Sequence, residues 1–196
     1  MGDPQALKAE LAALAAASEG FSDRDPRAPQ LDALAKALEA HNPTAEPARA
    51  HHLLGGRWAL LWSSFGLPRH TTLARLTFNV LPKAPVEVEA LFQEVDPTTG
   101  LYDNVVTYRC QETGRAGTCV TLGRYGPHDG TRLDVTFTHA QATGHPRQPI
   151  RTDRLPPLWS DVTYLDADFR LNRGSFGSLY VLRLVERRPA AWARDG

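Results

Sequence analysis

Apolar residues recur along this chain at two spacings, and the spacing changes once, near Asn42. Before it the spacing is helical. Leu7, Leu11 and Leu14 share one face on an alanine-rich background, which predicts a helix over Pro4–Ala17. Asp3 ahead of Pro4 fits an N-cap followed by proline at the first helical position, and Gly20 is the expected stop. Leu31, Leu34 and Leu38 repeat the stripe in Gln30–Ala40. Asn42-Pro43 ends it, because proline disfavours helix at the residue before it. The polar segment Ser22–Pro29 links the two helices. Both stripes need a surface to cover, so the pair is expected to pack on or across one end of the remaining fold.

After Asn42 the period is two. In Thr72–Val80, Ala74, Leu76, Phe78 and Val80 share a face; in Val86–Val95, Val86, Val88, Ala90 and Phe92 do. Arg132–His139 places Leu133, Val135 and Phe137 together. Each pattern predicts a strand with one buried side. Trp58–Phe65, Asn104–Cys110 and Thr118–Tyr125 also read as strands, and Leu179–Val185, apolar on both faces, as a strand covered on both sides. Turn chemistry separates them at Asp96–Gly100, Gly114–Gly117 and Gly126–Gly130. Many short strands with Gly and Pro turns between them predict an all-β barrel or sandwich.

Thr163–Leu182 holds the sharpest pattern. Leu165, Ala167, Phe169 and Leu171 form an apolar face, taken as inward; Tyr164, Asp166, Asp168, Arg170 and Asn172 lie opposite. Gly174 and Gly177 bracket a hairpin turn. Arg173 falls on the apolar face, where a charge needs a partner. Arg170 is expected to pair with Asp166 or Asp168. Gln141–Leu158 is a long basic, proline-rich stretch with two readings: a solvated excursion, or a lid over a barrel mouth with Ile150, Leu155 and Trp159 as its apolar side.

Charge narrows the partners. Lysine plus arginine and aspartate plus glutamate both number 22, so no whole-chain field draws the protein to nucleic acid. No apolar run is long enough to span a bilayer; Leu7–Ala17 is short and carries Lys8 and Glu10. The N-terminus lacks the pattern of a secretory signal, and its acids argue against a transit peptide. A cytoplasmic protein is expected. Cys110 and Cys119 flank a turn and are expected as free thiols; two cysteines are too few for a structural zinc site.

No catalytic set emerges. A Gly-x-Ser-x-Gly elbow and a helix-opening phosphate loop are both missing from the sequence. His51-His52 point opposite ways in extended chain, His139 and His145 have no placed carboxylate, and Ser175 has no base in view. The residues predict no enzyme, no metal and no cofactor.

Tyr164-Leu-Asp, Asp168, Arg170-Leu-Asn-Arg173-Gly174 and Gly177-Ser-Leu-Tyr-Val-Leu182 together resemble the C-terminal signature of the PAP/fibrillin family, the plastid lipid-associated proteins. Gly56-Arg57-Trp58 and Asn42-Pro43-Thr44 resemble further elements of it, so the likeness covers Leu31–Val185. The resemblance implies a mainly β fold: a lipocalin-like antiparallel β-barrel over residues 46–190, preceded by a helical segment over 1–45. It implies binding of a small hydrophobic molecule (a lipid, isoprenoid quinone or carotenoid) or association with lipid bodies or membranes, in the cytoplasm of a bacterial or cyanobacterial relative or, after processing, in a plastid. An enzyme or enzyme accessory of isoprenoid-quinone metabolism is the alternative. A barrel of about eight strands can enclose one small ligand. The expected ligand-binding residues are Trp58, Phe78, Phe92, Val135, Phe137 and Arg173. Lipocalins hold an arginine across the Gly-x-Trp indole, which implies Arg173 against Trp58, a contact of about 0.5–2 kcal/mol.

Overall fold

The computed structural model describes residues 3–18, 24–188 and Trp192. Its elements in chain order are α1 (Pro4–Ala16), α2 (Ala28–Glu39), α3 (His51–Leu54), β1 (Gly56–Ser63), β2 (His70–Thr72), α4 (Leu73–Leu76), β3 (Pro85–Asp96), β4 (Leu101–Cys110), β5 (Ala116–Pro127), β6 (Arg132–Ala142), β7 (His145–Pro149), β8 (Leu158–Leu165), β9 (Phe169–Gly174) and β10 (Leu179–Glu186). Asp3 caps α1 through its side chain, which accepts from the Gln5 amide at 3.2 Å. The predicted stop at Gly20 lies outside the described residues.

The sheet runs β1-β10-β9-β8-β6-β5-β4-β3, every pairing antiparallel, and β3 pairs back onto β1 through Gly56–Ala59. The result is a closed eight-stranded barrel. Closure gives the edge strands β1 and β3 partners on both sides, which removes the exposed amides that invite aggregation. The short strands β2 and β7 attach outside the ring, to β3 and β6.

Two apolar layers hold the molecule together. Inside the barrel, Trp58, Leu60, Val95, Tyr102, Leu133, Phe137, Leu165 and Leu182 form one cluster. Outside it, Leu11, Ala15, Leu31 and Leu38 of the helices pack on Trp62, Tyr164, Phe169, Leu171 and Val181. The helix pair therefore lies on the outer wall made by β1, β8, β9 and β10. Burying a leucine fully is worth about 1.5–3 kcal/mol, and four of these helix residues, Leu11, Ala15, Leu31 and Leu38, are fully buried. The helices and the wall thus share one core.

Two strand expectations and one loop expectation change. Thr72–Val80 is not a strand: His70–Thr72 pairs with β3, then Thr72 caps the single turn of α4, its Oγ1 accepting from the Arg75 amide at 3.3 Å. Thr77 Oγ1 donates to the Leu73 carbonyl at 2.7 Å, and Phe78 and Asn79 follow with φ of 52° and 62°. Capping by two threonines outweighs the period-two pattern here. In β3 the register slips between Val88 and Ala90: Val88 faces Tyr108, and Ala90 faces Thr107. The extra residue, Glu89, is a bulge, and beyond it the faces exchange. Gln141–Leu158 is no simple loop: β6 continues through Ala142, turns at Gly144 and returns as β7. Ile150 is buried in the barrel cluster, against which Leu155 packs.

The faces of β9 are also reversed from expectation. Phe169, Leu171 and Arg173 look out toward the helices; Arg170 and Asn172 look into the barrel. The expected single run Thr163–Leu171 is broken: β8 ends at Leu165, residues 166–168 turn the chain and β9 starts at Phe169, so Leu165 joins the barrel cluster while Phe169 and Leu171 belong to the outer layer that α1 and α2 cover. Val185, expected under cover, is 57% exposed at the end of β10.

Candidate functional site: the barrel cavity

One half of the barrel is not filled by side chains. A cavity of about 220 Å³ lies between α4 and the strands β1, β3, β4, β5, β6 and β8. Its walls carry Leu60, Leu76, Phe78, Leu91, Val106, Val135, Phe137 and Leu158. Phe78 and Phe137 pack with ring centroids 5.5 Å apart. The left-handed backbone at Phe78 turns this ring inward from a segment that is not a strand. Gly123 makes room for Phe137 across the β5–β6 pair; a Cβ there would lie 2.8 Å from the Phe137 ring and 2.4 Å from the Tyr102 carbonyl oxygen.

The mouth is aromatic. Phe65 and Phe176 line the cavity yet are 54% and 74% exposed. Phe65 sits beside Gly66, and Phe176, with φ of 71°, precedes Gly177. Arg75 and Trp159 complete the rim, Arg75 donating to the Gly66 carbonyl at 2.8 Å. Two large apolar rings are held out at one opening; among the described residues the other exposed large apolar side chain is Val185.

The inner wall is polar. Gln93 and Asn104, a cross-strand pair, line it together with Tyr102 and Ser160. Behind Gln93 lies Arg170, fully buried. Its Nη2 donates to Gln93 Oε1 at 2.5 Å, and its guanidinium lies 4.7 Å from the centroid of the Trp58 ring. Trp58 in turn donates from Nε1 to the Leu54 carbonyl at 3.0 Å, which fixes the indole under α3. Burial pulls the Arg170 pKa down to about 10, partly offset by Tyr102 and Tyr125, so it stays cationic at neutral pH. Burial also pushes Tyr125 and Tyr180 up to about 12, so both phenols remain neutral.

Of the six residues expected at the site, Phe78, Val135 and Phe137 line the cavity. The other three lie elsewhere. Phe92 falls beyond the Glu89 bulge and points outward, with Arg57 stacked 4.0 Å from its ring. Gln93 takes the inward place. Trp58 plugs the barrel beneath the cavity. Arg173 does not meet Trp58: Nε and Nη2 donate to Glu39 at 2.9 and 3.1 Å, and Nη1 donates to Asp32 at 2.6 Å, all on α2. The guanidinium–indole contact exists, but Arg170 makes it. Asp166 and Asp168 are likewise not partners of Arg170; both meet Lys8 of α1, Asp166 at 2.8 Å. The missed Leu91 and Gln93 lie beyond the bulge, which a strict alternation ignores; Asn104, on β4, is a polar residue on an inward face and so left no apolar mark.

Cys110 and Cys119 are free thiols. Cys119 is opposite Val106, not Cys110, and burial pushes its thiol up to about 12. Among the described residues no three His, Cys, Asp or Glu side chains gather as a metal site, and no helix is long and apolar enough to cross a membrane.

An eight-stranded antiparallel barrel, plugged at a Gly-x-Trp tryptophan and open at an aromatic mouth, defines a lipocalin-like protein. The chain belongs to the PAP_fibrillin family, whose family model matches residues 5–183. It is similar to plastid lipid-associated protein 2, chloroplastic, of Brassica campestris, with 29% identity over 192 residues, covering 74% of this chain and 57% of that one. It is also similar to the probable plastid-lipid-associated protein 2, chloroplastic, of Arabidopsis thaliana, with 27% identity over 191 residues, covering 74% of this chain and 59% of that one. The chain thus spans less than two thirds of the length of these relatives.

Proposed function

We propose that this protein binds a small hydrophobic molecule, such as a lipid, an isoprenoid quinone or a carotenoid, with part of it inside the barrel. The observation that carries the proposal is the apolar cavity with Phe65 and Phe176 exposed at its mouth. Binding sites that enclose a drug-sized ligand run to about 300–1,000 Å³. The cavity here is smaller, about 220 Å³, so a long-chain ligand would leave part of its length past the two rings. That arrangement suits exchange with a lipid body or membrane surface, and the names of the two relatives support a lipid-associated role in plastids. The role is one of binding rather than turnover.

The test is uptake of Nile red, a neutral apolar dye, by the wild-type protein and by Leu91→Trp, which fills the cavity from β3. Uptake that is saturable in the wild type and at least ten-fold weaker in a folded Leu91→Trp supports the reading. No uptake by the wild type, or equal uptake by both, overturns it.

A further inference from the structure

The polar end of the cavity is more than a lining. Arg170 is fully buried, and its Nε and Nη1 have no hydrogen-bond partner among the described residues. Among the described residues no carboxylate pairs with it. Its contacts are one amide oxygen, Gln93 Oε1, and the face of Trp58. A buried cation without a counter-ion is costly, because the charge has lost its water and gained no opposite charge. Stacking on an indole uses the flat face of the guanidinium and leaves the N–H groups in its plane unsatisfied. The two nearest acids of the same strand region, Asp166 and Asp168, are committed to Lys8 on the outer layer.

The neighbours of Arg170 repeat the deficit. Asn172 Nδ2 donates to Ser160 Oγ at 2.7 Å, while Asn172 Oδ1 is unpaired among the described residues. Asn104 Oδ1, on the cavity wall, is unpaired as well. Both amides can turn to present N–H instead of oxygen. Gln93 is a single side chain between the cavity and the guanidinium. The inner end therefore offers a cation and several adaptable donors to whatever enters. The opposite end, at Phe65 and Phe176, is open to solvent, and its cation, Arg75, is exposed and donates to the Gly66 carbonyl.

We infer that the ligand is an amphiphile with an anionic head group, of carboxylate type, that sits at the Gln93–Asn104 end against Arg170 with its chain running out past Phe65 and Phe176. This rests on the cavity reading above and adds polarity and direction to it. A carboxylate matches a guanidinium in charge and in its paired acceptor oxygens. A neutral carotenoid or a hydrocarbon would leave Arg170 uncompensated, and is disfavoured as cargo.

The experiment compares ligands with one chain and different heads. Hexadecanoic acid, hexadecanol and methyl hexadecanoate are used to displace Nile red at pH 8 from the wild-type protein and from Arg170→Met. The acid is expected to displace at least ten-fold more tightly than the alcohol or ester from the wild type. Arg170→Met is expected to bring that ratio close to one and leave alcohol binding in place. Where Arg170→Met does not fold, the wild-type complex with acid labelled at the carboxyl carbon decides: its resonance should remain that of the ionised form at least one pH unit below the point where the free acid protonates. Equal displacement by acid and alcohol from the wild type overturns the head-group assignment while leaving the cavity reading intact. A preference that survives in Arg170→Met, or a bound acid that titrates like the free one, overturns it too. Absence of Nile red binding removes the cavity reading itself, and this assignment with it.

Discussion

Arg170 and Arg173 stand three residues apart on β9 and serve opposite sides of one wall. Arg170 points into the barrel, with its guanidinium 4.7 Å from the Trp58 ring centroid; Arg173 points out and clasps Glu39 and Asp32 of α2. The first closes the barrel floor. The second ties the helix layer to the barrel with three charge-assisted hydrogen bonds.

Because Arg173 and Glu39 are both mostly buried, at 22% and 18% side-chain exposure, the tie should register in stability. Arg173→Ala is expected to destabilise by about 1–3 kcal/mol in urea unfolding. Glu39→Gln should cost less once Arg173 is already gone, with a coupling of about 0.5–3 kcal/mol in the double-mutant cycle. Strictly additive costs would show that the pair does not hold α2 in place.

Gly123 is required for space rather than for an unusual backbone. An added methyl would press on the Tyr102 carbonyl and on the Phe137 ring that walls the cavity. Gly123→Ala should destabilise by about 1–3 kcal/mol and weaken Nile red uptake together, since the two rings shift as one. Calorimetry and dye titration on one sample check this; loss of neither would mean the β4–β5 pair gives way freely.

The Lys8 contact predicts an acid limb. Burial pushes the Asp166 carboxyl up. The Lys8 ammonium, the Asp168 and Phe169 amides and the Tyr164 hydroxyl outweigh it and hold the carboxyl below its ordinary value. A depressed carboxyl stabilises the folded state at pH values above its unfolded pKa of about 4, and that stability is lost as pH falls through the folded value. Lys8→Met should therefore lower stability at pH 6 and flatten its dependence between about pH 4 and 2. Parallel curves for the two proteins would remove Lys8 from the account.

The exposed rings at the mouth predict a surface phenotype without a folding one. Phe176→Ser should leave the melting temperature within about 2 °C, because the ring buries little. It should reduce co-sedimentation with neutral lipid vesicles by roughly ten-fold, the order expected when one phenyl group is no longer buried. Unchanged sedimentation would place membrane contact on another face.

Much of the architecture was legible because closure, turns and helix stripes each leave a local mark. The positions of β3 and β6 follow the alternation, β10 follows its run of apolar residues, and the Asp3-Pro4 start of α1 follows cap chemistry, whereas β8 and β9 read as one run because no glycine or proline marks the turn at residues 166–168. What failed was the assignment of sides. The β9 pattern fits the apolar face inside or outside equally well, and only the need to cover Leu11, Leu31 and Leu38 decides between them. The site suffered for the same reason. Phe137 and Val135 were found on an unbroken run, whereas Gln93 and Leu91 stand beyond a bulge that no turn residue announces. Phe78 reached the cavity by a route the sequence did not suggest, a capped helical turn and a left-handed residue in place of a strand.

Glu89, the bulged residue of β3, decides which residues of this strand wall the cavity. Upstream of it Val86 and Val88 pack with Val106 and Tyr108; downstream of it, Leu91, Gln93 and Val95 face the barrel and Phe92 and Glu94 face away. Excising this one residue would leave Val88 opposite Tyr108 and Ala90 opposite Thr107 in plain alternation, with both sets where they are. Moving the irregularity is different. Were it to slide toward the hairpin, past Gln93, Ala90 and Phe92 would turn inward and Leu91 and Gln93 outward. The strand would then exchange its polar wall for an aromatic one with no residue added, lost or replaced.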